Sequence, residues 1–132
     1  MRENIFDYLK EYGFSKEDIY WFQKVNEKLY FVDIILVANN IKFFEDKGLS
    51  CKEIIGVIKD NPYLLTIGSK RKIMLDNLYN KIFEKEELKS LIIKYPVSYT
   101  ENPLELEEKF VCINNNVLDV KETIIKYFQK QN

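Results

Sequence analysis

The feature that most constrains the fold is a short pattern that occurs twice, at residues 13–18 and 48–53, with a spacing of 35 residues. Each copy has a glycine first, a serine two positions later, and an acidic residue three positions after the serine. The glycine suits the left-handed end of a preceding helix, because it has no Cβ. The serine and the acid predict a capping box at the start of the next helix.

A third copy follows after a further 34 residues, although it lacks the glycine and the serine. Its apolar residues and its proline correspond in order to Ile54, Val57, Ile58 and Pro62, and they are Leu88, Leu91, Ile92 and Pro96. A period of this length is typical of stacked helical repeats. We therefore predict an all-α protein, a right- or left-handed α-solenoid of about three repeats of 34–35 residues with a C-terminal capping helix. The expected bounds are repeats at 3–42, 43–77 and 78–113 and a cap at 117–130, in a single domain over residues 1–132.

Local signals predict where the remaining helices begin and end. Polar side chains that accept hydrogen bonds from free backbone N–H groups mark helix starts. The residues expected in this role are Asp33, Ser69, Asn102 and Asp119. Pro62 and Pro96 are expected to end the short helices before them, because proline cannot continue a helix. Leu64 and Leu65 then form an apolar segment that we call the hook. The helix that begins after Asp33 is expected to bury an apolar stripe, which consists of Ile34, Ile35, Val37, Ala38, Ile41 and Phe44.

The order helix, Gly-Leu-Ser, short helix, Pro-Tyr-Leu-Leu and long helix resembles the repeat of the mitochondrial transcription termination factor (mTERF) family. The resemblance extends over residues 5–113 and is clearest in residues 43–65 and 88–96. It implies a curved superhelix of helix triplets that binds nucleic acid along a basic concave groove. This chain departs from the family pattern in its short length and its net charge of −1, and in Glu27, which stands where the first hook proline would be.

The distribution of charge places the candidate nucleic-acid site in the middle of the chain. Residues 48–99 carry nine cationic and six acidic side chains, whereas residues 1–47 carry seven and nine. The candidate phosphate-binding residues are Lys70, Arg71, Lys72, Lys81, Lys85, Lys89 and Lys94. The cluster at 70–72 is the most informative, because three cations in a first helical turn oppose the helix dipole. The alternative interpretation is that these side chains cover the solvated faces of amphipathic helices.

Aromatic residues offer a second kind of candidate site. The chain has nine tyrosines, nine phenylalanines and one tryptophan. Trp21 and Tyr63 are the candidate anchors for a partner protein, since aromatic side chains dominate many protein interfaces. Most aromatics at helical spacing instead belong to a core. The alternative function is therefore a protein–protein interaction module, such as a small inhibitor or adaptor, whose binding would tolerate salt better than nucleic-acid binding.

Enzymatic function is not expected, because the chain has no histidine and no glycine-rich loop or nucleophile motif. Cys51 and Cys112 match no metal-binding spacing and are predicted to be free, buried thiols. We expect no cofactor, no metal and no small-molecule substrate. The longest apolar run, residues 34–38, is too short to span a bilayer, and the first residues do not form a signal peptide. A cytoplasmic location without a membrane partner is the expectation.

Overall fold

The computed structural model describes residues 4–111 and 117–131, and all regular structure in them is helical. The prediction of an all-α protein is confirmed. The chain divides into two compact units, Met1–Ile67 and Gly68–Asn132. The first unit contains α1 (Ile5–Tyr12), α2 (Lys16–Val25), η1 (Glu27–Tyr30), α3 (Ile34–Asp46), α4 (Cys51–Asp60) and η2 (Pro62–Thr66), where η denotes a 3₁₀ helix. The second contains α5 (Ser69–Asn80), α6 (Lys85–Lys94), η3 (Pro96–Tyr99), α7 (Pro103–Val111) and α8 (Val117–Gln131).

The order of elements repeats with the period of the sequence. An α-helix, a 3₁₀ helix and a second α-helix follow one another three times, beginning at Lys16, Cys51 and Lys85. These starts are separated by 35 and 34 residues. The expected second repeat, residues 43–77, crosses the boundary between the two units. The repeat bounds, the single domain and the solenoid stay predictions.

Helix starts agree with the local signals at most positions. Ser15 Oγ accepts the backbone N–H of Asp18 at 3.1 Å, and Ser50 Oγ accepts that of Glu53 at 3.1 Å. In each case the acidic side chain also accepts the backbone N–H of the serine, which completes the capping box. Asp33 and Asn102 cap α3 and α7 through the same kind of side-chain acceptor. These caps form between residues that are close in sequence, so tertiary context has little influence on them.

Two glycines end helices in a conformation that other residues rarely adopt. Gly13 follows α1 with φ 131°, and Gly48 follows α3 with φ 95°. At Gly13 a Cβ would also lie 3.0 Å from Cδ1 of Ile55. Backbone conformation therefore favours glycine at both copies of the sequence pattern, and a close contact adds to this preference at Gly13.

The first unit buries the hook. Leu64 is 1% exposed and Leu65 is fully buried. Asn40, in α3, is also fully buried, and its Nδ2 donates to the carbonyl oxygens of Leu65 at 3.0 Å and Ile67 at 3.1 Å. A buried amide thus supplies hydrogen-bond donors to two backbone carbonyl groups, one in η2 and one directly after it.

The second unit is organised around two fully buried tyrosines. The rings of Tyr79 and Tyr99 pack edge to face with 5.2 Å between their centroids. The hydroxyl of Tyr79 donates to the carbonyl oxygen of Ser98, and that of Tyr99 donates to Oδ1 of Asp76 at 2.8 Å. Each buried phenol therefore has the hydrogen-bond partner that its burial requires.

Four local predictions were wrong. Ser69 is the first residue of α5 rather than its cap, and the cap residue, Gly68, provides no side-chain hydrogen bond. Asp119 lies inside α8, which begins at Val117. Cys51 is exposed, because the first turn of α4 faces solvent at that residue. Ile35, placed on the buried face of α3, is 63% exposed. Cys112 lies outside the described residues.

Candidate binding surfaces

The first turn of α5 presents two exposed cations. Lys70 and Arg71 follow Ser69 directly, and both side chains are exposed. Because the cap residue Gly68 has no side chain, no capping side chain accepts from the first backbone N–H groups of the helix. Free N–H groups and adjacent cations both attract anions. This helix end has the chemistry of a phosphate contact.

Lys72 is placed differently from the two cations before it. It is 8% exposed, and burial lowers the pKa of its ammonium group, while the charge of Asp76 one turn later acts in the opposite direction. A buried ammonium keeps part of its hydrocarbon stem in the core. Lys72 therefore does not belong to the exposed surface formed by Lys70 and Arg71.

The other predicted cations do not form one strip with the helix start. Lys81 follows the last residue of α5, so a helix of 12 residues, roughly 18 Å long, separates it from Lys70. On α6, Lys85 and Lys89 project to one side, whereas Lys94 is rotated from them by roughly 140–180° about the helix axis. The structure thus keeps Lys94 apart from the other cations of α6.

Most of these cations lack an acidic partner. Among the described residues, no ion pair involves Lys70, Arg71, Lys81, Lys85 or Lys94. Glu86 and Glu87 lie in the first turn of α6 beside Lys85. α5, in contrast, contains one acidic residue, Asp76, and none in its first turn. The exposed cations of α5 therefore have fewer acidic neighbours on their own helix than Lys85 has on α6.

The two predicted partner anchors are exposed, as expected of anchors. Trp21, on α2, is 53% exposed and Tyr63, on η2, is 51% exposed. Their elements are joined by Asn26, whose Nδ2 donates to the carbonyl oxygen of Pro62 at 3.1 Å and to Thr66 Oγ1 at 3.0 Å. Asn26 directly follows α2, so one end of this helix is fixed beside η2.

The first unit exposes further apolar side chains, of which sequence reasoning missed Phe31. Phe31, which follows η1, is 86% exposed, and Ile35 on α3 follows one turn later. Tyr30 is 57% exposed, and its hydroxyl donates to Gln23 Oε1 at 3.4 Å. Residues 29–32 are four consecutive apolar residues, so their pattern does not separate buried from exposed positions. Among them, only Leu29 enters the core. No signal in the sequence would have identified Phe31.

The described residues contain no group of side chains that could hold a metal ion. Within them, no helix combines the length and the apolar character needed to cross a membrane. No protein-family model, no curated protein and no solved structure matches the chain. The described residues present two kinds of exposed surface that a partner could bind, cationic in the second unit and aromatic in the first.

Proposed function

We propose that the chain is a non-enzymatic helical-repeat binding protein with mTERF-like repeats stacked as a solenoid, and that it binds nucleic acid. The three-fold succession of α-helix, 3₁₀ helix and α-helix supports the repeat architecture. The mTERF resemblance of residues 43–65 and 88–96 supports nucleic acid as the partner. The exposed cations at the start of α5, Lys70 and Arg71, supply the phosphate contacts.

The observation that carries this proposal is the exposed and unpaired state of Lys70 and Arg71 at a helix start. A cation there opposes the helix dipole and gains no ion pair among the described residues in return. A bound phosphate would remove both costs, because it would neutralise the cations and accept from the free N–H groups of α5. Binding through a few phosphate contacts is sequence-independent and strongly dependent on salt.

The double variant Lys70→Glu with Arg71→Glu should lose most nucleic-acid binding. Removing two phosphate contacts should reduce the slope of log K against log salt by about 2, because each contact releases condensed counterions. Fluorescence anisotropy would measure this with labelled duplex DNA, single-stranded DNA and single-stranded RNA at about 50 mM and about 200 mM salt.

The matched control is Lys16→Glu with Lys52→Glu, which reverses two exposed charges in the first turns of α2 and α4. The control changes the net charge and the helix-dipole interactions to the same extent, but in the first unit. Equal losses in the two double variants would assign binding to net charge alone and contradict the proposed site. The absence of wild-type binding to every probe at low salt would overturn the function.

A second candidate function rests on the aromatic surface of the first unit. Trp21 and Tyr63 expose about half of their side chains. The same unit also exposes Tyr20, Tyr30 and Phe31, by 60%, 57% and 86%. Tryptophan and tyrosine supply a large contact area at small entropic cost when a partner covers them. A protein-interaction module would use this surface and leave Lys70 and Arg71 unbound.

Trp21→Ala and Tyr63→Ala should each weaken such a protein complex by about 30-fold, the effect of losing roughly 2 kcal/mol at an interface anchor. A partner would first be isolated by pull-down with the wild-type chain. The measurement is the affinity of that partner for each variant at low and high salt. Leu104→Ala is the control, since Leu104 is a 60% exposed apolar residue of the second unit. If Leu104→Ala weakened binding of the partner as much as Trp21→Ala, the binding would be nonspecific adhesion rather than a partner site.

A further inference from the structure

A groove of about 270 Å³ lies within the second unit, lined by residues of α6, α8 and the loop before α6. Its lining includes the apolar residues Phe83, Leu91 and Ile125 and the aromatic residue Tyr95. Phe83 is 7% exposed and Leu91 is 4% exposed, so these side chains belong to the core and give the groove a fixed floor. Ligand sites in proteins combine such an apolar lining with a few polar groups.

One cation of the groove is fixed by an ion pair. Lys121, on α8, donates to both carboxylate oxygens of Glu87, at 2.9 Å and 3.1 Å. Glu87 Oε1 also accepts the backbone N–H of Glu84 at 2.8 Å, so the carboxylate is held at the start of α6. The hydrogen bonds from Lys121 and from the Glu84 backbone lower the pKa of Glu87 and keep it ionised. Because an ammonium group has three donors, Lys121 retains one for a ligand.

The second cation of the groove is free. Lys94, the last residue of α6, is exposed and forms no ion pair with any residue that the structure describes. Since Glu87 offsets Lys121, the charged groups that line the groove leave one positive charge. Ser90 and Gln129 add uncharged polar groups to the same lining. The groove therefore presents an apolar floor and one uncompensated cation.

We propose that this groove binds a small organic molecule that has an apolar body and a single carboxylate. The ammonium group of Lys94 binds the carboxylate, and the remaining donor of Lys121 is available to it. The apolar body packs on Leu91, Phe83 and Ile125. The volume lies near the lower end of the range for ligand pockets, about 300 Å³, so the ligand is small. A monoanion leaves the local charge balanced, whereas an uncharged molecule leaves Lys94 unpaired.

This ligand site is independent of nucleic-acid binding. It assigns Lys94 a role different from that of Lys70 and Arg71. Along α6, Lys94 also lies on the opposite side from Lys85 and Lys89. Nothing in the sequence pattern indicates the groove. Glu87 and Lys121 are 34 residues apart and become neighbours only when α6 and α8 meet.

Octanoate is a suitable probe, and octan-1-ol, with the same chain and no charge, is its matched control. Titrated into the full chain, octanoate should shift the amide resonances of α6 and α8 and bind at least about tenfold more tightly than octan-1-ol, because a charge-assisted hydrogen bond adds to apolar burial. Lys94→Gln should remove this preference for the carboxylate. Ser90→Trp should block both probes by filling the groove from its exposed edge.

Lys126→Gln is the control variant, since Lys126 is exposed on α8 and does not line the groove. It should bind octanoate as the wild type does. Equal affinity for octanoate and octan-1-ol would overturn the assignment of a carboxylate. A preference for octanoate over octan-1-ol that survives Lys94→Gln, or octanoate binding that survives Ser90→Trp, would overturn the site.

Discussion

Asn40→Ala is expected to lower the free energy of unfolding of the first unit by about 3 kcal/mol. The substitution removes two buried hydrogen bonds and leaves the carbonyl oxygens of Leu65 and Ile67 without those donors. A net hydrogen bond contributes about 1 kcal/mol, and an unsatisfied buried acceptor costs about 1–3 kcal/mol. Alanine also leaves space where the fully buried amide was.

Urea unfolding followed by tryptophan fluorescence would measure this effect. The chain has a single tryptophan, Trp21, and it lies in the first unit. Asn39→Ala is the matched control, because Asn39 is the preceding residue of α3 and is exposed. It should change the free energy of unfolding by no more than about 0.5 kcal/mol. Similar midpoints for the two variants would mean that the Asn40 amide does not hold the hook.

Features encoded within a few residues could be predicted from the sequence. The capping boxes at Ser15 and Ser50 need only a serine, an acid and a spacing of three. Gly13 and Gly48 are required by backbone conformation at the same helix ends. The end of α4 before Pro62 follows from the geometry of proline. In each case the partner atoms belong to the same short segment.

Features that depend on distant contacts could not be predicted. Asn40 meets carbonyl groups 25 and 27 residues away, and an asparagine in a helix carries no sign of that role. Lys72 looked equivalent to Lys70 and Arg71, but the packing of α5 buries it. Ile35 fits the apolar stripe of α3 in sequence, yet it is 63% exposed, whereas Val37 and Ile41 of the same stripe are buried.

The candidate site residues show the same difference between local features and features that depend on packing. Trp21 and Tyr63 were candidate anchors against the alternative that aromatics at helical spacing belong to a core, and both are about half exposed. Their role as anchors stays a prediction. The seven predicted cations share a segment of sequence but not a face, since Lys94 and Lys89 point in different directions on α6. Clustering in sequence therefore predicted that this region is cationic, but it did not predict which of the cations share a surface.

The second unit should lose stability steeply at alkaline pH. Burial raises the pKa values of the Tyr79 and Tyr99 hydroxyls well above 10, and the charges of Glu101 and Asp76 respectively add to that effect. A group with a raised folded-state pKa contributes stability that is present below its unfolded pKa, about 10, and is lost as pH rises above it. Each tyrosine should cost about 1.4 kcal/mol per pH unit, or about 2.7 kcal/mol per unit together.

Urea unfolding between about pH 8 and about pH 11, followed by circular dichroism, would measure this dependence. Tyr79→Phe and Tyr99→Phe should each reduce the alkaline slope by about 1.4 kcal/mol per pH unit, whatever their effect on stability at neutral pH. Loss of a hydrogen bond alone would lower stability without changing this slope, so the slope distinguishes the titration from a structural defect. Tyr63→Phe, which removes the hydroxyl of an exposed tyrosine in the first unit, is the control substitution. Burial of Lys72 lowers its pKa, so its titration raises stability with pH and ends near pH 10.5, the usual value for lysine. A double Tyr79→Phe and Tyr99→Phe variant with the wild-type slope would show that these phenols ionise without unfolding the unit.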